Sequence, residues 1–312
     1  MRIFKGLEHI DISSPVVTIG TFDGVHLGHQ KIITRLNEEA RKSGGESVLF
    51  TFFPHPRMVI YPESHGLKLL QTQEEKLDKL EQMGLQNLII YPFDFEFSRK
   101  SAIEFVRDIL VNKLHINRLV IGYDHQFGRN REGTIEFLKN ISELYEFEVV
   151  EIPAEEIDAI NVSSTKIRDL IVQGRVDRAT EFLGAPYTLK GKVIKGDQLG
   201  RTIGYPTANL EIVDSEKLIP GNGVYAVTSI VNSKMYCGMM NIGFRPTVSL
   251  NSGMRAEVHL FDFDQDIYGL ELEVHFIQKI REEQKFIDIE GLRHQLQNDE
   301  KTARIFLLDC AH

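Results

Sequence analysis

Apolar residues in the first half of the chain gather in short unbroken runs, separated by stretches with helical spacing. Val16–Phe22, Ser47–Phe53, Asn87–Phe93, Arg118–Tyr123 and Glu148–Ile152 read as buried strands, β-branched or aromatic-rich and bounded by Gly, Pro or polar residues. Gln30–Lys42, Ser101–Leu114 and Thr134–Phe147 each carry one apolar face at helical spacing, for example Ile32, Ile33, Leu36 and Ala40. Strand–helix alternation predicts a doubly wound α/β domain with a parallel sheet, which binds ligands at the carboxyl ends of its strands. From about Tyr187 the texture changes. Thr188–Ile194, Val224–Val231, Lys234–Ile242, Arg255–Phe263 and Leu270–Ile280 follow one another through glycine-containing turns, and Ile289–Leu308 turns helical again. That pattern predicts a small antiparallel β-barrel or sandwich with a C-terminal helix. A helix over Thr165–Leu183 and the turn Gly184–Pro186 set the expected seam, giving domains 1–184 and 185–312.

Composition narrows the partners. The 312 residues carry 36 Lys and Arg against 45 Asp and Glu, a net charge of −9. An acidic surface argues against a nucleic-acid backbone as partner, though not against a small phosphate ligand. Cys237 and Cys310 stand far apart, excluding a disulfide framework and fitting a reducing compartment. The N-terminus has no apolar signal segment and no run is long enough to span a membrane, so the expectation is cytoplasmic. There is no Trp. A planar ligand must therefore stack on Phe or Tyr.

The first run ends in Gly20-Thr21-Phe22-Asp23-Gly24-Val25-His26-Leu27-Gly28-His29, and a helix follows at once. Gly20, Gly24 and Gly28 keep side chains out of a tight turn, and a helix N-terminus seats phosphate. His26 and His29, three apart, can face one way and donate hydrogen bonds to phosphate oxygens; zinc ligation or an incidental pair are the other readings. Ser163, Ser164 and Thr165 precede another amphipathic stretch, giving either a plain helix cap or a second phosphate seat, with Arg168 one turn on. Asp124 follows a strand at the ligand end of the sheet, and His55 is held between two prolines.

In the second half, Gly191-Lys192-Val193-Ile194-Lys195-Gly196 precedes Gly200-Arg201-Thr202-Ile203-Gly204-Tyr205-Pro206-Thr207-Ala208-Asn209. No P-loop is present, yet spaced glycines let backbone N–H groups approach phosphate. Thr207 and Asn209 alternate to one side of a strand and offer neutral oxygens of the kind Mg²⁺ accepts beside nucleotide phosphates. Glu257 and His259 share a face two residues apart; alone, such a glutamate is more often solvent-facing, and His259 reads as core or support.

These segments together carry a family resemblance. Gly20–His29 resembles the HxGH signature of nucleotidylyltransferases in its FAD synthetase form. Thr51–Pro56, Gly122–Gly133 and Val162–Arg168 resemble further segments of that family. Gly200–Leu210 resembles the PTAN motif of riboflavin kinases; Gly223–Val227, Asn241–Thr247, Glu257–Phe263, Ile267–Gly269 and Arg281–Phe286 follow in that family's order. The chain is thus similar, end to end, to bacterial bifunctional riboflavin kinase/FAD synthetases. The resemblance implies phosphorylation of riboflavin by ATP to FMN in the C-terminal domain, and adenylylation of FMN to FAD with release of pyrophosphate in the N-terminal one. It implies Glu257 as base, with His26, His29 and Arg168 as catalytic groups of the first domain. Gly20, Phe22, Asp23, Gly24, Gly28 and Ser163–Thr165 are implied at one ATP, and Gly191, Lys192, Gly196, Arg201 and Gly204 at the other. His55, Pro56, Asp124, Phe127 and Arg245 are implied at flavin, and Thr207 and Asn209 at Mg²⁺. Two positions depart: Lys166 stands where Arg is common, and His125 where Phe is common.

Overall fold

A computed structural model of the chain describes residues 1–62, 66–154, 162–196, 200, 203–244 and 254–308, without the side chains of 244 and 254. It divides into two compact units, Met1–Ser164 and Thr165–His312.

The first unit is built on six parallel strands in the order β1-β4-β3-β2-β5-β6. These are β1 Arg2–Lys5, β2 Val16–Ile19, β3 Ser47–Phe53, β4 Asn87–Pro92, β5 Arg118–Gly122 and β6 Glu148–Ile152. The helices are α1 Leu27–Ser43, α2 Pro56–Ile60, α3 Gln73–Gln82, α4 Phe95–Ser98, α5 Ala102–Phe105 and α6 Ile135–Ser142. Alternate residues of each strand feed opposite cores, as a pleated sheet covered on both faces requires. Val17, Phe50, Ile89 and Leu119 enter one cluster; Val16, Leu49, Leu88 and Val120 enter the other. The strand order reverses between β2 and β5, so the crevice at their carboxyl ends is where this architecture takes a ligand.

The second unit opens with α7 Ser164–Val172, whose first residue belongs to the first unit, and α8 Val176–Leu183. The single helix expected over 165–183 is broken at Gly174, φ 75°, where a Cβ would meet Lys279 and the Tyr225 hydroxyl at under 3 Å. α8 packs on the barrel strands, so in compactness this segment goes with the second unit rather than the first. The strands β7 Tyr187–Ile194, β8 Ala208–Glu211, β9 Gly223–Val231, β10 Lys234–Phe244, β11 Met254–Leu260 and β12 Glu271–Arg281 close into a barrel, β10-β11-β8-β7-β12-β9, with every pair antiparallel. Helix α9, Ile289–Leu307, buries Ala303 and Leu307 against Val224, Ala226, Met239 and Phe261. It is fastened by Arg281, which grips the buried Asp299 carboxylate through three contacts of 2.7–3.0 Å.

Candidate active sites

The turn from β2 into α1 bends because Phe22, Gly24 and Val25 all take positive φ, at 50°, 86° and 35°. Gly24 is required there: a Cβ would sit 2.6 Å from Leu70 Cδ1, in a conformation side chains resist. His26 caps α1, its Nδ1 accepting from the His29 amide at 3.4 Å. The two imidazoles stack at 3.7 Å and 16°, and Phe22 stacks on the other side of His29 at 4.5 Å. Parallel rings do not converge two lone pairs on one cation, which weighs against zinc ligation, but they can reach two oxygens of one phosphate. His29 is half-buried, with an Nδ1 that is shut from solvent and has no partner. Burial first, then His26 and Lys76, hold its pKa well below the ordinary imidazole value, so the ring is neutral at physiological pH.

These groups open onto a cavity of about 690 Å³ at the reversal point of the sheet. Gly20, Phe22, His26, Gly28, His29, His55, Pro56, Asp124, Phe127, Ser163 and Ser164 all line it. The sequence segments, scattered over 145 positions of numbering from 20 to 164, therefore meet. Asp23 and Gly24 do not line it. Asp23 is turned inward, accepting from the amides of Leu70 at 3.0 and 3.2 Å and Gln71 at 3.4 Å, while its carbonyl accepts from Ser164 Oγ at 3.0 Å. It thereby ties the Leu70–Gln71 amides and Ser164 to the turn before α1. Thr165 and Arg168 follow Ser164 on α7, within the second compact unit.

The sequence reading missed the aromatic wall. Phe52, Phe93, Phe97 and Phe105 join Phe22 and Phe127 around the cavity, and Phe52, Phe93 and Phe97 meet one another at 5.4–5.7 Å. They come from different elements with no common spacing, so only the absence of Trp hinted at them. His125 lines the same cavity; burial pushes its pKa down to about 4, against the pull of Asp124.

In the second unit a cavity of about 250 Å³ opens where α9 meets the barrel. Thr207, Asn209 and Glu257 all line it. Glu257 on β11 faces Asn209 on β8 and Asn241 on β10 in the strand register, and Arg255 donates to its Oε1 at 3.2 Å. Gly196 passes so close to Asn209 that any Cβ there would overlap the amide. His259 Nδ1 donates to the Pro206 carbonyl at 2.7 Å, fixing the residue before Thr207, and burial lowers its pKa despite that bond. Gly191, Lys192 and Gly196 do not line this cavity, and Gly204 lies on a neighbouring opening. Arg201 and Arg245 lie outside the described residues. Arg255, Asn241 and Arg281 line the cavity without having been singled out as ligand groups.

Comparison with known proteins finds two family models in tandem: FAD synthetase over residues 9–166 and riboflavin kinase over 183–307. A bifunctional riboflavin kinase/FMN adenylyltransferase of Listeria monocytogenes is 39% identical, covering 96% of this chain and 94% of its own. The protein of the same description from Escherichia coli K12 is 35% identical over 98% of each. A crystal structure from Streptococcus pneumoniae described as a macrolide-efflux protein superposes with a TM-score of 0.88 at 34% identity, covering 97% of this chain and 99% of that one. Among the described residues no helix is long and apolar enough to cross a membrane.

Proposed function

The chain belongs to the family of bifunctional riboflavin kinase/FMN adenylyltransferases, and from that premise we propose how its two cavities divide the two reactions. It is a transferase with both activities, the FAD synthetase unit first and the riboflavin kinase unit second. The functional domains are taken as 1–184 and 185–312, and the setting as cytoplasmic, with ATP, riboflavin, FMN and FAD as its small-molecule partners and no nucleic acid.

The reading rests above all on one observation: His26, His29, Ser163 and Ser164 share one cavity, and Thr207, Asn209 and Glu257 share the other. In the kinase cavity Glu257 takes the proton from the riboflavin hydroxyl as its oxygen attacks the γ-phosphorus of ATP; the bond to the β-phosphate breaks and ADP leaves. Arg255 and the flanking Asn209 and Asn241 keep the carboxylate in place. The neutral oxygens of Thr207 and Asn209, the latter's amide packed against Gly196, would fit Mg²⁺ bound jointly with nucleotide phosphates. Mg²⁺ supplies charge neutralisation of those phosphates.

In the first cavity a phosphate oxygen of FMN attacks the α-phosphorus of ATP, and pyrophosphate leaves as the α–β bond breaks. The FMN phosphate is already ionised, so no base is needed. His26, neutral His29 and the Ser163–Ser164 segment donate to the oxygens where charge builds, with Thr165 and Arg168 following on α7. Phe52, Phe93, Phe97 and Phe127 give the isoalloxazine its aromatic surface, with His55, Pro56 and Asp124 beside them on the flavin side.

The two activities assayed on one purified protein test the division. Glu257→Ala should lower FMN formation on the order of 10²-fold or more while FAD formation from supplied FMN persists. His29→Ala should lower FAD formation about 10²-fold and spare the kinase. Equal loss of both reactions in either folded variant overturns the division.

A further inference from the structure

Helix α3 sends Lys76 beneath the turn that joins β2 to α1. Only 7% of its surface is exposed, a costly placement for an ammonium unless an oxygen receives it. Nζ donates to the Thr21 carbonyl at 3.3 Å, and Thr51 Oγ1 donates to the same carbonyl at 3.3 Å. Asp23, in the same turn, favours the ammonium against its burial. Thr21 lies between Gly20 and Phe22, both walls of the first cavity, and Phe22 stacks on His29. Its charge is the last of three influences, after burial and His26, that disfavour the His29 imidazolium. Thus one buried cation bears chiefly on the backbone of the turn.

We propose that Lys76 is a positioning residue for adenylyl transfer, fixing the Gly20–Phe22 wall through the Thr21 carbonyl. The inference rests on the assignment of His29 to that reaction. Lys76 itself touches no substrate. Substitution isolates the donor, because glutamine keeps one for Thr21, whereas methionine has none.

The test measures FAD formation from FMN and ATP between pH 5.5 and 9 in the full chain, with thermal melts of the same sample reporting that the first unit is folded. Lys76→Gln should keep most of the wild-type rate. Lys76→Met should show a kcat lower on the order of 10- to 100-fold at every pH, the scale expected for a misplaced wall. Should Lys76→Met fail to fold, Thr51→Val, which removes the other donor to the Thr21 carbonyl, should show a loss of the same kind in its place. A wild-type kcat in the folded variant, Lys76→Met or its stand-in, overturns the proposal. His29→Ala runs alongside: if it leaves FAD formation intact, the site assignment has failed; if it is impaired while Lys76→Met matches wild type, only the role of Lys76 has.

Discussion

At the scale of single residues, His125 shows how a departure in sequence becomes a property of the fold. Its ring lines the first cavity with a buried Nε2 that has no partner, and burial lowers its pKa to about 4. An unfolded chain binds a proton at this ring below about pH 6.5. Between about 6.5 and 4 the unfolded state therefore holds more protons, and stability falls as pH falls through that window. His125→Phe removes the penalty. The drop in unfolding midpoint of the first unit between pH 8 and pH 5 should shrink in this variant, as thermal melts at the two pH values will show; an unchanged drop refutes it. That His26 and His29 lie together, and that Thr207 and Asn209 share a cavity, was legible from neighbours in sequence alone. Asp23 was not, because its inward turn depends on the Leu70 and Gln71 amides, some fifty positions away.

At the scale of elements, long apolar runs announced β3, β4 and β5, and five of the barrel strands, within a residue or two at most ends. The omissions have physical reasons. β1 has four residues and lies at the sheet edge, too short for any period to show. α3 is strongly polar, and its stability begins in a capping box rather than an apolar face: Thr72 accepts from the Glu75 amide at 3.2 Å while Glu75 accepts from the Thr72 amide at 2.8 Å. Thr72→Ala should cost about 1 kcal/mol. Because α3 carries Lys76, urea should then suppress FAD formation at a lower concentration than in wild type, with the kinase curve unmoved; coincident FAD curves contradict this. The opposite error, one helix where there are two, arose because amphipathic spacing survives across Gly174 while the backbone does not.

At the scale of the whole molecule, a net charge of −9 excluded a polyanion and left the nucleotide open. On the proposed reading, phosphate recognition is instead a local matter of helix starts, imidazoles and a few cations within each unit. The motif order made both catalytic units legible, since each motif is a contiguous piece of chain. The Phe cavity and the clamp between Arg281 and Asp299 were not, because they exist only once distant segments meet. The two units also differ in what they leave unpaired. A closed barrel has no free strand edge, whereas the open sheet ends in β1 and β6. Both ends carry charge: Arg2 pairs with Glu46, and Glu148 with Arg118 at 3.0 Å. Behind β1 stands Asn87–Pro92, a strand rich in isoleucine and leucine. The four residues of β1 thus act as a colloidal seal. Stripping Arg2–Lys5 should leave a chain that scatters light and binds amyloid dyes on storage sooner than the intact one.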